Sequence, residues 1–198
     1  MNVLIILGHP DSKSFNHALA DACKTQLIKN GHSVCLHDLY KEQFNPVLQL
    51  GNLDTLSADN DIIRTHQTDL TDSDGIIIIH PNWWGQPPAI VKGWLDCILL
   101  PDIAYKFEIK GNGELMPVGL LKAQIALVLN TSNTSEELEN QFYKDPLETI
   151  WKNRVFSFCG INQFERKNFR VIKDSDMRQR SIWLSDACLM IDKYFSKV

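Results

Sequence analysis

Short strand-like runs alternate along this chain with longer segments in which apolar residues recur at helical spacing. The short runs predict five strands, at residues 3–7, 33–38, 75–80, 123–129 and 162–171. The third run contains four consecutive isoleucines and is typical of a strand buried on both faces, as in parallel sheets. The intervening segments predict helices at residues 15–28, about 59–70, 88–99, 146–158 and 174–197.

The regular alternation of strands and helices indicates the fold class. Parallel strands joined by right-handed helical crossovers produce an α/β doubly wound sheet with helices on both faces. Five strands favour the flavodoxin-like order 2-1-3-4-5 over the six-stranded dinucleotide fold. Without repeats or linkers, residues 1–198 are expected to form a single domain. Two segments, residues 39–60 and 101–119, carry chain-breaking residues and are expected to be irregular loops.

The loop after the first strand, residues 8–16 (GHPDSKSFN), carries two hydroxyls, a lysine and the start of a helix. Unpaired amides and the helix dipole make such a helix start a site for anions. Ser12 or Ser14 can cap the helix and bind a phosphate; as a cap alone, Ser14 would be purely structural. The loop has neither GxGxxG nor GxxxxGK followed by Ser or Thr, which argues against a Rossmann dinucleotide site and a P-loop.

Two adjacent tryptophans and three prolines occupy the loop after the third strand, residues 81–88 (PNWWGQPP). In open α/β sheets, ligands bind at the carboxyl ends of the strands. A rigid aromatic loop at this edge therefore predicts a flat, ring-shaped ligand. The alternative interpretation is that both indoles pack against neighbouring loops or a partner subunit.

Small polar residues dominate the loop after the fourth strand, residues 130–137 (NTSNTSEE). Their hydroxyls, carboxamides and backbone amides suit the polar rim of a heteroaromatic ring, while a simple turn and helix cap would satisfy the same sequence. Because the three loops follow strands 1, 3 and 4, we expect them to meet around the switch point of the sheet. Together they predict a phosphate-bearing heteroaromatic ligand.

Composition narrows the partners and the compartment. The chain has 198 residues, 44% of them hydrophobic, and a net charge of -4 with a pI of about 5.8. Without a basic patch, nucleic acid is not expected as a partner, and no apolar run approaches the roughly 20 residues that span a bilayer, so no membrane insertion is expected. The amino-terminal segment lacks the basic residues of a signal peptide, which predicts a cytoplasmic protein.

The spacing of cysteines and histidines provides no metal signature. The five cysteines are widely scattered, with no CxxC pair, and most are expected to be buried free thiols in a reducing compartment. The histidines are scattered as well, so no metal site is predicted. The chain also lacks a GxSxG motif and a paired-carboxylate signature.

Several residues of these loops carry a resemblance to a known family. Over nearly its whole length the chain resembles the flavodoxin-like NAD(P)H:quinone oxidoreductases, which include DT-diaphorase and the bacterial modulator-of-drug-activity and quinone reductases. The resemblance rests on His9 with residues 14–16 (SFN), on Pro81 and Trp84 leading into residues 88–94 (PAIVKGW), and on residues 104–105 (AY) and 158–160 (FCG).

The resemblance implies a set of site residues. The segment that holds the flavin phosphates and ribityl chain corresponds to His9, Ser14, Phe15 and Asn16. The loop along the isoalloxazine corresponds to Pro81, Asn82, Trp83, Trp84 and Gly85. The loop at the pyrimidine edge of the ring corresponds to Asn130, Thr131, Ser132 and Asn133. Two further residues lie outside these loops: Tyr105, which matches an aromatic residue of the substrate pocket, and Arg178, which falls near a contact to the adenylate half of FAD.

The resemblance also implies an activity. The protein would be a flavin-dependent oxidoreductase that passes hydride from NAD(P)H through flavin N5 to a quinone, nitroaromatic or azo acceptor by a ping-pong mechanism. Tyr105 and Thr131 are the catalytic candidates, FAD is the expected flavin with FMN as the alternative, and a homodimer is expected. The third loop reads Asn-Thr-Ser-Asn where the mammalian enzymes have Thr-Gly-Gly, so the identity of any proton donor stays open.

Two rival functions follow from the same motifs. One is a flavodoxin-type electron carrier, which would need an acidic docking face, and a net charge of -4 is modest for that role. The other is a flavin-binding regulatory subunit of a potassium efflux system, which the sequence leaves open.

Overall fold

A five-stranded parallel sheet forms the centre of the molecule. The computed structural model describes residues 1–48, 60–111 and 113–197. The strands within these residues are β1 (Asn2–Leu7), β2 (Ser33–Asp38), β3 (Gly75–Pro81), β4 (Tyr105–Ile109), β5 (Leu115–Gly119), β6 (Ile125–Ser132) and β7 (Gln163–Arg170). The main sheet has the order β2-β1-β3-β6-β7, and all its pairs are parallel. Counted within this sheet alone, the order is 2-1-3-4-5, which confirms the predicted fold class.

Helices connect the strands on both faces of the sheet. They are α1 (Phe15–Lys29), α2 (Asp61–Asp72), α3 (Ala89–Ile98), α4 (Glu136–Leu138), α5 (Pro146–Thr149) and α6 (Met177–Tyr194). Two of the short helices continue as π-helical turns, α4 through residue 143 and α5 through residue 156. Side-chain caps begin the long helices: Asn60 accepts from the amide of Ile63 at 3.2 Å, and Asp176 from that of Gln179 at 2.7 Å.

The isoleucine run of β3 illustrates how the sheet is buried. Successive side chains of a strand point to opposite faces. Ile76 and Ile78 therefore pack with α2 and α3, and Ile77 and Ile79 with α1 and α6. All four are buried. Burial on both faces explains why the run is continuously apolar rather than alternating.

The prediction of a loop at residues 101–119 is wrong. Strands β4 and β5 pair antiparallel in this segment and form a hairpin outside the main sheet. The glycines suggested an irregular loop, but Gly113, with a φ of +83°, forms the turn of the hairpin. Gly119 marks a close approach of backbones, because a Cβ there would lie 2.1 Å from the carbonyl carbon of Cys159.

Several element boundaries differ slightly from the prediction. The third loop begins later than expected, because β6 continues to Ser132. The closing helix begins at Met177 instead of residue 174, after a 3-10 turn at Ile172–Asp174. The helix predicted to begin near residue 59 is observed as α2, and residues 49–59 lie outside the described residues. In the part of residues 39–60 that is described, residues 39–48 form neither helix nor strand.

The state of the cysteines and the character of the helices were both predicted from the sequence. All five cysteines are free thiols; Cys23, Cys97 and Cys159 are buried, and Cys35 and Cys188 are partly exposed. Among the described residues, no helix has both the length and the apolar character that a bilayer crossing requires.

Candidate active site

A cleft of about 280 Å³ lies at the carboxyl edge of the sheet, where the loops after β1, β3 and β6 meet. The predicted site residues that line it are His9, Ser14, Phe15, Asn16, Pro81, Asn82, Trp83, Thr131, Ser132 and Asn133. Lys13, Ile172 and Arg180 complete the lining and were not among the predicted residues. The register of the sheet explains the convergence, because Pro81 pairs with Thr131 at the ends of adjacent strands.

One end of the cleft is suited to an anion. Helix α1 begins at Phe15, so the amides of its first turn lack intrahelical partners. Ser14 caps the helix and also lines the cleft, which reconciles the two interpretations of this serine. Lys13 and Arg180 add positive charge from two different segments. Amides, a hydroxyl and two cations at a helix start form a phosphate-binding arrangement.

A histidine holds the Ser14 hydroxyl in place. His17 Nε2 lies 3.1 Å from a carboxylate oxygen of Asp38, which only accepts, so Nε2 carries a proton. In the neutral ring Nδ1 is then an acceptor, and the Ser14 hydroxyl, at 2.9 Å, donates to it. The oxygen of Ser14 accepts from the amide of His17 at 3.4 Å. These contacts fix the orientation of the Ser14 hydroxyl, and therefore of its remaining lone pair, at the start of α1.

Two carboxamides beside the cleft have unsatisfied acceptor atoms. Asn16 is buried and donates through Nδ2 to Thr131 Oγ1 at 2.9 Å, while its Oδ1 has no partner among the described residues. Asn82 donates through Nδ2 to Glu139 Oε1 at 3.2 Å, and its Oδ1 is likewise without a partner in the described part of the chain. Buried acceptors without donors are costly, so these two atoms indicate a ligand that donates hydrogen bonds.

The two tryptophans have different environments. Trp83 and Gln86 exchange backbone hydrogen bonds of 3.1 and 3.0 Å, which closes a two-residue turn. Trp84 and Gly85 occupy the turn with φ angles of +57° and +70°, the combination of a type I′ turn. Trp83 lines the cleft, and its ring lies 6.2 Å from that of His9. Trp84 is 100% exposed and does not line the cleft.

Asn130 immediately precedes Thr131 of the cleft but does not itself line the cleft. It is fully buried, and its Oδ1 accepts from Arg166 Nε at 2.6 Å. Its Nδ2 donates to the backbone carbonyl of His80 at 3.1 Å. Arg166 is itself paired with Asp145, at 2.7 Å. Asn130 therefore positions the end of β3 instead of facing a ligand.

His80 is a buried neutral histidine in this network. The indole nitrogen of Trp151 can only donate, so it donates to His80 Nε2 at 3.0 Å. Nδ1 then carries the proton and donates to the carbonyl of Pro81 at 2.8 Å. Burial lowers the pKa of His80 to about 4, and the charge of Arg166 acts in the same direction. His80 and Arg166 carry no signal of this role in the sequence, because their partners lie on distant segments.

Besides Trp84 and Asn130, three further predicted site residues do not line the cleft. Gly85 lies in the turn that packs on α5, where an added Cβ would lie 2.8 Å from Pro146. Tyr105 is on the hairpin, with its ring 4.8 Å from that of Phe158, and burial raises its pKa. Arg178 lines a separate concavity at the start of α6. Arg180, two positions later, is the arginine of α6 that reaches the cleft.

A five-stranded doubly wound sheet with its cleft at the carboxyl edge, and without a glycine-rich dinucleotide loop, defines the flavodoxin-like class of α/β proteins. Residues 1–181 match the family model described as "Flavodoxin-like fold", and the chain belongs to that family.

Relatives of this chain carry the names of oxidoreductases that act on reduced nicotinamide compounds. The chain is 36% identical over 185 residues to an "Uncharacterized NAD(P)H oxidoreductase" of Haemophilus influenzae, which covers 91% of this chain and 89% of that protein. It is 31% identical over 186 residues to "Ribosyldihydronicotinamide dehydrogenase [quinone]" of Mus musculus, covering 80% of this chain and 77% of that protein. The predicted membership in the family of NAD(P)H dehydrogenase enzymes is thereby confirmed.

Solved structures share the whole architecture. Smu.1420 from Streptococcus mutans superposes with a TM-score of 0.85 and 27% identity, over 98% of this chain and 100% of that one. An FMN-dependent NADH-azoreductase from Bacillus anthracis, solved with FMN, gives a TM-score of 0.71 at 17% identity, over 98% and 97% of the two chains. At that identity the second likeness concerns the fold alone.

Proposed function

We propose that the protein is a flavin-dependent NAD(P)H oxidoreductase that reduces quinones and related acceptors, including azo and nitroaromatic compounds. The observation that carries the proposal is the set of groups that meet in one cleft. A cationic helix start, a pair of unsatisfied acceptors and an aromatic side chain lie together at the carboxyl edge of the sheet. A flavin combines the matching groups, which are a phosphate, a hydroxyl-bearing chain and a planar ring.

The phosphate end of a flavin fits the start of α1. The amides of its first turn would donate to the phosphate oxygens. Lys13 and Arg180 would neutralise its charge. The guanidinium of Arg180 is oriented by its bonds to Ser175 Oγ, at 2.9 Å, and to the carbonyl of Ile172, at 3.2 Å.

The middle of the cleft fits the donors that a flavin carries. Ribityl hydroxyls and the ring N–H would satisfy Asn16 Oδ1 and Asn82 Oδ1, which lack partners among the described residues. Thr131, Ser132 and Asn133 would contact the polar edge of the ring with hydroxyl and amide groups. Donors at this edge stabilise negative charge on the reduced ring. Thr131 is the proposed catalytic residue of this group.

A bound flavin supplies hydride chemistry, taking hydride from NAD(P)H and passing it to the acceptor. The residues of the chain hold the ring and cover one side of it, with Pro81 and Trp83 as the wall. The opposite side is left for NAD(P)H and then for the acceptor. Because both would use the same place in turn, the kinetics are expected to be ping-pong. Tyr105 is the proposed aromatic contact to the acceptor.

The proposed flavin is FAD, and FMN would occupy the same cleft. A second concavity of about 440 Å³ lies at the start of α6, and its lining residues are Asp174, Ser175, Asp176, Arg178, Gln179 and Ile182. It shares no lining residue with the cleft, but Ile172 and Arg180 of the cleft flank most of these residues in sequence, which would offer the adenylate half of FAD a continuation beyond the phosphate end. Heat release of the chromophore followed by chromatography distinguishes the two flavins.

The active form is proposed to be a cytoplasmic homodimer with a cleft completed by the partner subunit. Exposed apolar side chains lie on the turn after β3, on the hairpin and on the π-helical turn after α4. They are Trp84, Phe107, Ile109, Leu115, Phe142 and Tyr143. Such a surface on a single chain is typical of an interface. Elution at the mass of a monomer, at micromolar concentration, would contradict the dimer.

Steady-state kinetics test the proposed function. The flavin-loaded protein should oxidise NADH or NADPH with a quinone, and double-reciprocal plots should give parallel lines. Converging lines would refute the shared site. A protein that retains flavin but oxidises no nicotinamide with quinone, azo or nitroaromatic acceptors would instead favour a carrier or a regulatory subunit. A protein that takes up no flavin would refute the proposal as a whole.

A further inference from the structure

Away from the cleft, β2 and α2 bring together a cysteine, a histidine and an aspartate. Cys35 and His37 are two positions apart on β2, so their side chains lie on the same face of the strand. Asp69 reaches them from α2. Cys35 Sγ lies 3.4 Å from Asp69 Oδ2 and 3.6 Å from His37 Nε2, and the nitrogen and oxygen lie 2.9 Å apart. Thiolate, imidazole and carboxylate are the ligand types that zinc binds in proteins.

We propose that Cys35 Sγ, His37 Nε2 and Asp69 Oδ2 form a zinc-binding site. An ion at bond lengths of about 2.3 Å to sulfur and about 2.0–2.1 Å to nitrogen and oxygen would subtend roughly 110°, 100° and 90° between them. These angles sum to less than a full circle. An ion outside the plane of the three atoms can therefore satisfy all three bond lengths at once. The ion stands above the plane of the three atoms, and a fourth position of a distorted tetrahedron stays open.

Hydrogen bonds behind His37 orient it as a metal ligand. Its Nδ1 lies 3.0 Å from Glu42 Oε1, which accepts the Nδ1 proton. Nε2 lies 2.9 Å from Asp69 Oδ2, which accepts the Nε2 proton, so zinc would bind Nε2 with release of that proton. The other oxygen of Glu42 accepts from His66 Nε2 at 3.1 Å. Zinc-bound histidines almost always donate their second N–H to a carboxylate, carbonyl or water, and this outer partner is present here.

A second group in the same region, His37, Glu42 and His66, also has its ligand atoms within 4.8 Å of one another. The tautomer of His66 argues against it. Trp94 Nε1 can only donate, and it lies 2.9 Å from His66 Nδ1, so the ring proton of His66 is on Nε2. A metal on that Nε2 would leave the ring with no proton at all. The ion therefore belongs on the Cys35 side of His37.

The site is accessible from solvent and separate from the active-site cleft. A depression of about 290 Å³ leads to it, with Cys35, Asp69 and Asp72 in its wall, and none of its lining residues lines the active-site cleft. The open coordination position can take a water from this side. The ion would link the edge strand of the sheet to the helix that covers it. A metal held in this way adds its binding free energy to the stability of the fold.

Metal titration tests the site on the full-length protein. Protein stripped with EDTA is titrated with ZnCl₂ against a chromophoric chelator, and separately with CoCl₂ as a spectroscopic probe. We expect one zinc per chain, a rise in Tm, and a thiolate-to-cobalt charge-transfer band in the near ultraviolet. Less than half an equivalent of zinc, or a cobalt spectrum without the thiolate band, would overturn the proposal.

Three variants assign the ligands. Cys35→Ser should abolish the charge-transfer band and weaken zinc binding by more than about 100-fold, since losing an outer partner alone costs about 10–100-fold. Glu42→Gln should fall within that outer-partner range. Cys188→Ser changes the other partly exposed thiol and should leave both the band and the affinity unchanged. Wild-type affinity in Cys35→Ser, or loss of the band in Cys188→Ser, would refute the assignment.

A near-isosteric variant covers the case in which the serine protein does not fold. Asp69→Asn keeps the shape of the side chain and removes the carboxylate, and it should also weaken zinc binding by more than about 100-fold. Retention of wild-type affinity in this variant would contradict the role of Asp69.

Discussion

Acidification should destabilise this protein through one buried histidine beneath the candidate cofactor cleft. His80 is neutral in the folded protein, with Trp151 donating to Nε2 and Nδ1 donating to a backbone carbonyl. Burial lowers its pKa to about 4, from 6.5. Because the unfolded chain binds this proton more readily, stability is lost as the pH falls below 6.5 and continues to fall until about pH 4.

The size of the effect follows from the two pKa values. Each unit of separation corresponds to about 1.36 kcal/mol, so the full loss approaches about 3 kcal/mol, and about 2 kcal/mol of it falls between pH 7 and pH 5. That window lies above the titration of ordinary carboxylates. His80 is fully buried, so solvent screening does not reduce the figure. Urea unfolding at pH 7, 6 and 5 measures the free energy of unfolding at each value.

A variant isolates the contribution of His80. Two other histidines contribute to the pH dependence: the raised pKa of His37 opposes the effect, and the lowered pKa of His9 adds to it. Both remain in His80→Gln, whose side chain has an oxygen that can accept from the Trp151 indole. The variant should be less stable at pH 7 and should lose about 2 kcal/mol less between pH 7 and pH 5 than the wild type. Equal slopes for the two proteins would refute the reasoning.

Three further predictions concern the cleft and its supports. Trp83→Ala should weaken flavin binding by about 10-fold, the upper end of an aromatic contact, whereas Trp84→Ala, outside the cleft lining, should leave flavin affinity unchanged; equilibrium dialysis measures both, and equal affinities of the two variants would contradict the role of Trp83. Gly119→Ala places a Cβ 2.1 Å from backbone atoms and should lower the free energy of unfolding by more than about 3 kcal/mol. Gly111→Ala is the control, because nothing lies within 4 Å of its Cβ, and it should change stability by less than about 0.5 kcal/mol. Similar Tm values for both variants would be inconsistent with the close approach at Gly119. Arg166→Met removes the partner of the buried Asn130 side chain and the nearer cation of the partly buried Asp145, and it should cost about 3 kcal/mol in urea unfolding, with wild-type stability as the refuting result.

The hydrophobic pattern was enough to predict the fold. The isoleucine run of β3 and the helical spacing between strands determine which segments are buried, and short crossovers leave few other topologies. The hairpin was missed because Gly111, Gly113, Pro117 and Gly119 suggested a loop, although residues 105–109 (YKFEI) alternate between apolar and polar residues. The pattern of apolar residues therefore predicted the buried strands of the main sheet but not the two half-exposed strands of the hairpin.

The candidate site was predictable where loops follow strands in sequence. The loops that contain Ser14 and Thr131 were identified because the carboxyl ends of parallel strands meet at one edge, and the resemblance to a known family then pointed to Asn16 and Thr131 within them. The choice between Trp83 and Trp84 was not predictable, since it depends on the φ angles of a two-residue turn. Arg180 was missed for a similar reason: which arginine of α6 faces the cleft depends on the rotation of that helix against the sheet.

The sequence by itself determined the class of the protein, the location of its cleft and the chemical character of the three loops around it. Only the tertiary structure decided which side chains share that cleft and which lie beneath it. It also brought Cys35, His37 and Asp69 together from a strand and a distant helix. The physical reason is that strand and helix periodicity is local in sequence, whereas contacts between side chains depend on how those elements pack.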